Sequence, residues 1–171
     1  HNNLGNLFKT LGMFNEAVKC YEKSLDIKPD YVEAHNNLGV VFKELNRLED
    51  AVKSYEKALS INPDFAEAHS NLGVVFKELN QLEDAIKSYE KALSINPDFA
   101  EAHSNLGVVF KELNRLEDAI KSQEKALSIN PGYVEAHNNL GVVFKELNRL
   151  EDAVKSYEKA LSINPDFAEA H

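Results

Sequence analysis

The sequence holds no tryptophan, one cysteine, one methionine, five prolines and seven glycines among 171 residues. A lone Cys20 cannot close an internal disulfide, so it reads as a small core residue of a chain kept in a reducing, cytoplasmic compartment. No apolar run is long enough to span a bilayer, and no signal peptide is visible. Cations are the minority: 19 Lys and Arg stand against 28 Asp and Glu, for a formal charge of −9. The excess is spread along the chain without a basic stripe to neutralise phosphates, so neither nucleic acid nor an anionic membrane is an expected partner. A glycine-rich phosphate loop and a Cys/His pairing are missing too, and no cofactor is expected. Hydrophobic residues, by contrast, make up 43% and charged ones 27%, which excludes disorder.

The six histidines fall at His1, His35, His69, His103, His137 and His171, always 34 residues apart. Self-similarity at a fixed period of this size signals a repeat array rather than one globular domain. The segments are 1–31, which is incomplete, then 32–65, 66–99, 100–133 and 134–167, with 168–171 opening a sixth unit. The chain begins partway through a repeat and without methionine, so it reads as a fragment of a longer protein. Residues 134–167 are identical to 32–65, which suggests that a block of repeats was copied.

Within the unit that starts at His35, two stretches have helical periodicity. Ala34, His35, Leu38, Gly39, Val41, Phe42 and Leu45 share one arc at 100° per residue, and Leu48, Ala51, Val52, Tyr55, Ala58, Leu59 and Ile61 share another. Asn46 separates them, and Asn62-Pro63 ends the second. The first repeat has Gly12 where the others have Asn46 and its copies, and these are the two residues that best tolerate positive φ, so a left-handed helix stop is expected there. At the start of the next first helix, Asp64 and Glu67 have the spacing of a capping box. Glu49 and Lys53 form an i,i+4 pair on the wet face of the second helix, with Glu49-Asp50 at its N-terminus to complement the dipole. Each unit is a helical hairpin.

The spacing H-x2-L-G-x2-F, then A-x3-Y, then A and P, resembles the tetratricopeptide (TPR) motif W-x2-L-G-x2-Y…A-x3-F…P, with His in place of Trp, over the whole chain. The resemblance implies an all-α, right-handed superhelical solenoid of antiparallel helix pairs, whose first helices line a concave groove. Small residues such as Gly39, Ala51 and Ala58 let helix axes approach closely.

Six histidines in register invite a metal reading. First helices about 10 Å apart cannot bring several nitrogens within about 2 Å of one zinc, and no metal site is expected. Catalysis needs unlike groups converging in one cleft, whereas near-identical repeats present the same few side chains again and again; no enzyme is expected in this segment. The informative band lies opposite the core arc of the first helix and holds Glu33, Asn36, Asn37, Val40 and Glu44, with Lys43, Lys77 and Lys111 at its edge. Asn3, Asn37, Asn71, Asn105 and Asn139 recur once per repeat, and Val40, Val74, Val108 and Val142 lie one turn on, with Asn6 replacing valine in the first repeat. A carboxamide both donates and accepts, so a row of them suits an extended main chain, with valines as an apolar floor. The alternative is that these amides bond within the scaffold.

TPR domains that clamp acidic tails carry Lys and Arg in this groove. Here the matching positions hold Glu33, Glu67, Glu101 and Glu135, or Asn36, Ser70, Ser104 and Asn138, which would repel or ignore a carboxylate. The asparagine row looks more like the long TPR arms of O-linked N-acetylglucosamine transferases and bacterial multi-repeat proteins. The reading is therefore a protein-interaction scaffold that binds an extended peptide. A substrate-selecting arm of a glycosyltransferase and a structural spacer or self-assembling rod are the alternatives. Ends such as the face of Val154 and Leu161 lack a covering helix, so head-to-tail association between copies is expected. Repeat four is the expected weak point, because Gln123 stands where Tyr55, Tyr89 and Tyr157 stand and Gly132 where Asp64, Asp98 and Asp166 stand.

Overall fold

The helix stops come first, because they decide every boundary. Asn46, Asn80, Asn114 and Asn148 have φ between 55° and 58°, and Gly12 has φ 71°. Each sits just past a first helix. Asn46 N–H donates to the Lys43 carbonyl and Arg47 N–H to the Phe42 carbonyl, both at 2.8 Å. This paired capping satisfies two otherwise orphaned carbonyls. In place of the apolar contact that often accompanies such a cap, the Arg47 guanidinium lies over the Phe42 ring, 4.3 Å from its centre, as a cation–π contact. Second helices end where Asn62 N–H reaches the Ala58 carbonyl, and the following proline cannot continue the helix.

A computed structural model describes residues 1–167. Among them are ten helices and no strand: α1 (Asn2–Thr10), α2 (Phe14–Ile27), α3 (Val32–Glu44), α4 (Leu48–Ile61), α5 (Ala66–Glu78), α6 (Leu82–Ile95), α7 (Ala100–Glu112), α8 (Leu116–Ile129), α9 (Val134–Glu146) and α10 (Leu150–Ile163). The expected start of a sixth unit at 168–171 lies outside the described residues. The chain divides into two units. In the first, His1–Ile95, the pairs α1/α2, α3/α4 and α5/α6 pack as hairpins, α2 meets α3, α4 meets α5, and the first helices α1, α3 and α5 are neighbours in turn. In the second, from Asn96 onward, α7/α8 and α9/α10 are hairpins, α8 meets α9, and α7 meets α9.

The core of the first unit is built from Ala17, Tyr21, Leu38, Val41, Ala51, Tyr55, Ala58, Ala68 and Val75, all buried. In the second unit Leu140, Phe144 and Ala153 form a buried cluster, with Ile120, Leu127 and Tyr157 packed on it. Cys20 is buried as well. Inside four of the five described hairpins a glycine of the first helix lies against a tyrosine ring from the second; in α7/α8, Gly107 lies against Gln123. A Cβ built on Gly39 would be 2.7 Å from Tyr55 Cε1, and one on Gly141 would be 2.7 Å from Tyr157 Cε1. Only a residue without a side chain fits there.

Two local expectations are corrected. Asp64 does not cap α5: the N-cap position belongs to Phe65, without a side-chain bond, and Asp64 N–H donates to Asn62 Oδ1 at 3.2 Å. The polar residue of this turn therefore braces the turn itself rather than the helix, a short-range side-chain-to-backbone bond that competes with capping. Lys53 lies 3.8 Å from Asp50 rather than pairing with Glu49: Asp50 is the i,i+3 neighbour on the same helix face, and its other oxygen already accepts from Arg47 at 2.7 Å.

Gly39→Ala is expected to destabilise the protein by about 1–2 kcal/mol. The overpacking cost of about 1–3 kcal/mol against Tyr55 exceeds the gain of up to about 1 kcal/mol in helix propensity. Chemical denaturation of the variant measures this, and unchanged or increased stability would disprove the close-contact account.

Candidate functional site

The first-helix face of each unit carries the asparagines and valines singled out by their spacing. Each of these asparagines in α3, α5, α7 and α9 is half-buried, and Asn3 in α1 is exposed. The amides of Asn37, Asn71 and Asn139 reach back to the preceding first helix. Asn71 Nδ2 donates to Asn36 Oδ1 at 3.2 Å, Asn37 Nδ2 to Asn6 Oδ1 at 3.2 Å, and Asn139 Nδ2 to Ser104 Oγ at 3.4 Å. A carboxamide has two N–H groups and two lone pairs, so one such bond leaves further capacity on each side chain. At Asn37, in the second repeat, that capacity is already drawn on, for Lys9 Nζ of the first repeat donates to Asn37 Oδ1 at 3.2 Å.

Asn36 is a correction. It is buried, 3% exposed, rather than part of an open band. The next repeat covers it: its amide donates to Glu67 Oε1 at 3.2 Å and its oxygen accepts from Asn71. The same position is buried as Ser70, Ser104 and Asn138. Val40, Val74, Val108 and Val142 are half-buried, and Val40 packs on the core cluster. Lys43, Lys77 and Lys111 are half-buried at the edge, with Lys43 Nζ 3.0 Å from Glu44 Oε1 and Lys111 Nζ 3.9 Å from Glu146 Oε1 in the next first helix.

The histidines have a common role that spacing did not show. His35 Nε2 lies 2.8 Å from the Pro29 carbonyl, His69 Nε2 2.9 Å from Pro63, His103 Nε2 3.0 Å from Pro97 and His137 Nε2 3.0 Å from Pro131. Each ring ties a first helix to the turn that delivers it. Among the described residues no group of three or more His, Cys, Asp or Glu is placed to hold a metal ion.

Sequence reasoning treated Gln123 only as a lost ring. In the structure it is 1% exposed and bonded at both ends of its amide: Nε2 donates to the Ser104 carbonyl at 2.9 Å, and Ser104 Oγ donates to Oε1 at 2.9 Å. Beside it a cavity of about 80 Å³ opens between α7 and α9. The available signal was the break in the repeat, read together with which helix face the replaced ring would reach.

Repeat models cover the chain. One described as TPR repeat matches residues 5–46, 41–79, 75–114 and 109–148, and one described as Tetratricopeptide repeat matches 134–167. No curated protein matches. Among solved structures, the chain is similar to MamA, at 29% identity over 96% of both chains with a TM-score of 0.84. It is similar to YrrB, described as a TPR protein with an unusual peptide-binding site, at 25% identity over 99% of this chain and 87% of that one, TM-score 0.77. PilF of Pseudomonas aeruginosa shares the fold at 23% identity, over 99% of this chain and 77% of that one, with a TM-score of 0.90. Among the described residues no helix is long and apolar enough to cross a membrane.

The tyrosine rings that lie on Gly5, Gly39, Gly73 and Gly141 carry titratable hydroxyls. Burial, with Cys20 adding to it, pushes the Tyr21 phenol from 10.0 up to about 12. Burial, then Glu67, Glu44 and Glu78, raises Tyr55 further still. A folded pKa above the unfolded one gives stability that is complete below about pH 10 and is lost as pH rises through about 12. Melting temperature is expected to fall steeply over that window. Tyr21→Phe removes the bond from Tyr21 Oη to Asn6 Oδ1, 2.7 Å long, costing about 1 kcal/mol near neutrality, yet its alkaline decline should be shallower. Equal slopes for variant and parent would refute the assignment.

Proposed function

Since the chain belongs to the tetratricopeptide repeat family, we propose that it is a protein-interaction scaffold whose first-helix faces form a groove for an extended segment of a partner protein. The observation that carries this reading is the recurrence, on one face, of a half-buried carboxamide followed one turn later by a half-buried valine. Main-chain groups of an extended segment can exchange hydrogen bonds with the capacity left on the amides, while its side chains rest on the valines. A main-chain grip selects shape more than sequence. Glu33, Glu67, Glu101 and Glu135, exposed in the first turns, disfavour a segment ending in a free carboxylate. The YrrB likeness supports the same use of the fold, through a peptide-binding site described for that protein.

The test is a peptide selected on the folded chain and measured against the double variant Asn71→Ala with Asn105→Ala. Binding should weaken by about 1–3 kcal/mol, while stability falls by only about 1 kcal/mol, chiefly because Asn36 Oδ1 loses its donor. Large destabilisation with intact binding would assign the asparagines to the scaffold instead.

A second reading concerns copies of the 171-residue chain. On α10, Leu150 is 57% and Val154 53% exposed, and on α1 Leu7 is 54% exposed and Leu11, just beyond it, 62%. These faces support head-to-tail association between molecules, a heterologous contact that need not close. Sedimentation should show weak, concentration-dependent self-association, suppressed by Leu150→Glu with Val154→Lys. A strictly monomeric chain at high concentration would exclude it.

A further inference from the structure

The cavity beside Gln123 occupies the one described hairpin whose glycine faces an amide instead of a phenol ring. Its lining includes Gly107, Val108, Lys111, Gln123, Asn139 and Val142, so it opens between α7 and α9 on the face where the groove is proposed. Its origin is legible from the first repeat. There Tyr21 crosses Gly5, and its hydroxyl reaches Asn6, the position held by Val108 in repeat four. The far end of such a ring therefore lies beside the valine of its own hairpin. Gln123 is shorter and turns away: both ends of its amide are tied to Ser104. The space that a ring would fill beside Val108 is left open.

The geometry points to a side-chain pocket, in which the cavity between α7 and α9 receives one branched aliphatic side chain, valine- or leucine-sized, from the bound segment. This rests on the groove reading above and adds its selectivity. Size argues for an aliphatic occupant. The cavity is about 80 Å³, roughly half of the ~150 Å³ that accommodates a benzene ring, so a phenylalanine or tyrosine ring would not enter fully. Chemistry agrees. The walls are Val108, Val142, Val143 and Gly107, so apolar surface outweighs polar surface in the lining, and the floor amide already holds one bond to Ser104 at its oxygen and one at its nitrogen, which lowers its demand for a polar guest. Charge agrees as well, for the one cation in the lining, Lys111, lies 3.9 Å from Glu146 Oε1, and the paired charges favour an uncharged side chain. Asn139 stands at the same cavity, placed to take the main chain that carries the anchor.

The experiment uses a phage-displayed library of random dodecapeptides selected on the full chain. Recovered peptides should share one aliphatic position. Changing that residue to alanine should weaken binding at least tenfold to the parent chain. Gln123→Tyr, which installs the residue found at Tyr55, Tyr89 and Tyr157, fills the pocket; it should also weaken binding at least tenfold and make the peptide's alanine change nearly silent. Val108→Asn, the residue of repeat one at this position, should lower the preference for an aliphatic anchor while leaving the fold intact. Peptides that bind parent and Gln123→Tyr within twofold, or a consensus with an aromatic or charged anchor, would overturn the pocket and leave the groove reading standing. Failure to recover any binding peptide would instead remove the groove reading, and the anchor with it.

Discussion

The contact between a side-chain-free position and a ring governs this architecture. Gly5, Gly39, Gly73 and Gly141 each lie so close to a tyrosine that a Cβ would fall 2.6–2.8 Å from a ring carbon. The distance fixes how near the two helices of a hairpin approach, and it places a rigid ring across the hairpin's interior. Because the ring is long, its hydroxyl emerges on the first-helix side, as Tyr21 shows by donating to Asn6. Scaffold and face are thus not separable layers. The residue that closes the hairpin also shapes the surface on which a partner would lie.

Much of this was legible in one repeat. The helix stops followed from Gly12 and Asn46 alternating at a position that demands positive φ, and the core arcs followed from periodicity at 100° per residue. The errors share a cause. Helical periodicity describes one helix in isolation, whereas Asn36 is buried by Glu67 and Asn71 of the following repeat, 31 and 35 residues away. The capping spacing of Asp64 and Glu67 was likewise a local pattern, overruled by an Asn62 side chain that secures the turn first. What a single helix cannot encode is which neighbour will cover it.

Identical sequence makes this point without ambiguity. Residues 48–61 and 150–163 are the same, yet Leu48 and Val52 are half-buried and pack on the core of their unit, whereas Leu150 and Val154 are more than half exposed. In α4 the covering element is the next first helix, α5. Burial in a repeat array is a property of adjacency, and each repeat's stability is set by its neighbours as much as by its own residues.

A regular array has a corresponding difficulty with recognition. If the first-helix faces take up an extended segment as proposed, equivalent amides and valines offer each of its registers nearly the same contacts, so affinity would grow with length while discrimination would not. Selectivity then requires a place where the repetition fails. Gln123 is such a place, and its form is informative: the substitution did not leave an orphaned polar group, because Ser104 answers both ends of its amide. An unsatisfied glutamine at 1% exposure would cost about 1–3 kcal/mol, and a smaller apolar residue would have left the Ser104 groups without these partners. A satisfied, shortened side chain opens space beside Val108 while it keeps the hairpin tied together. On the proposed reading, one substitution would in this way give a uniform groove a fixed register, since a segment with a single well-placed aliphatic residue would lie best in only one position along it.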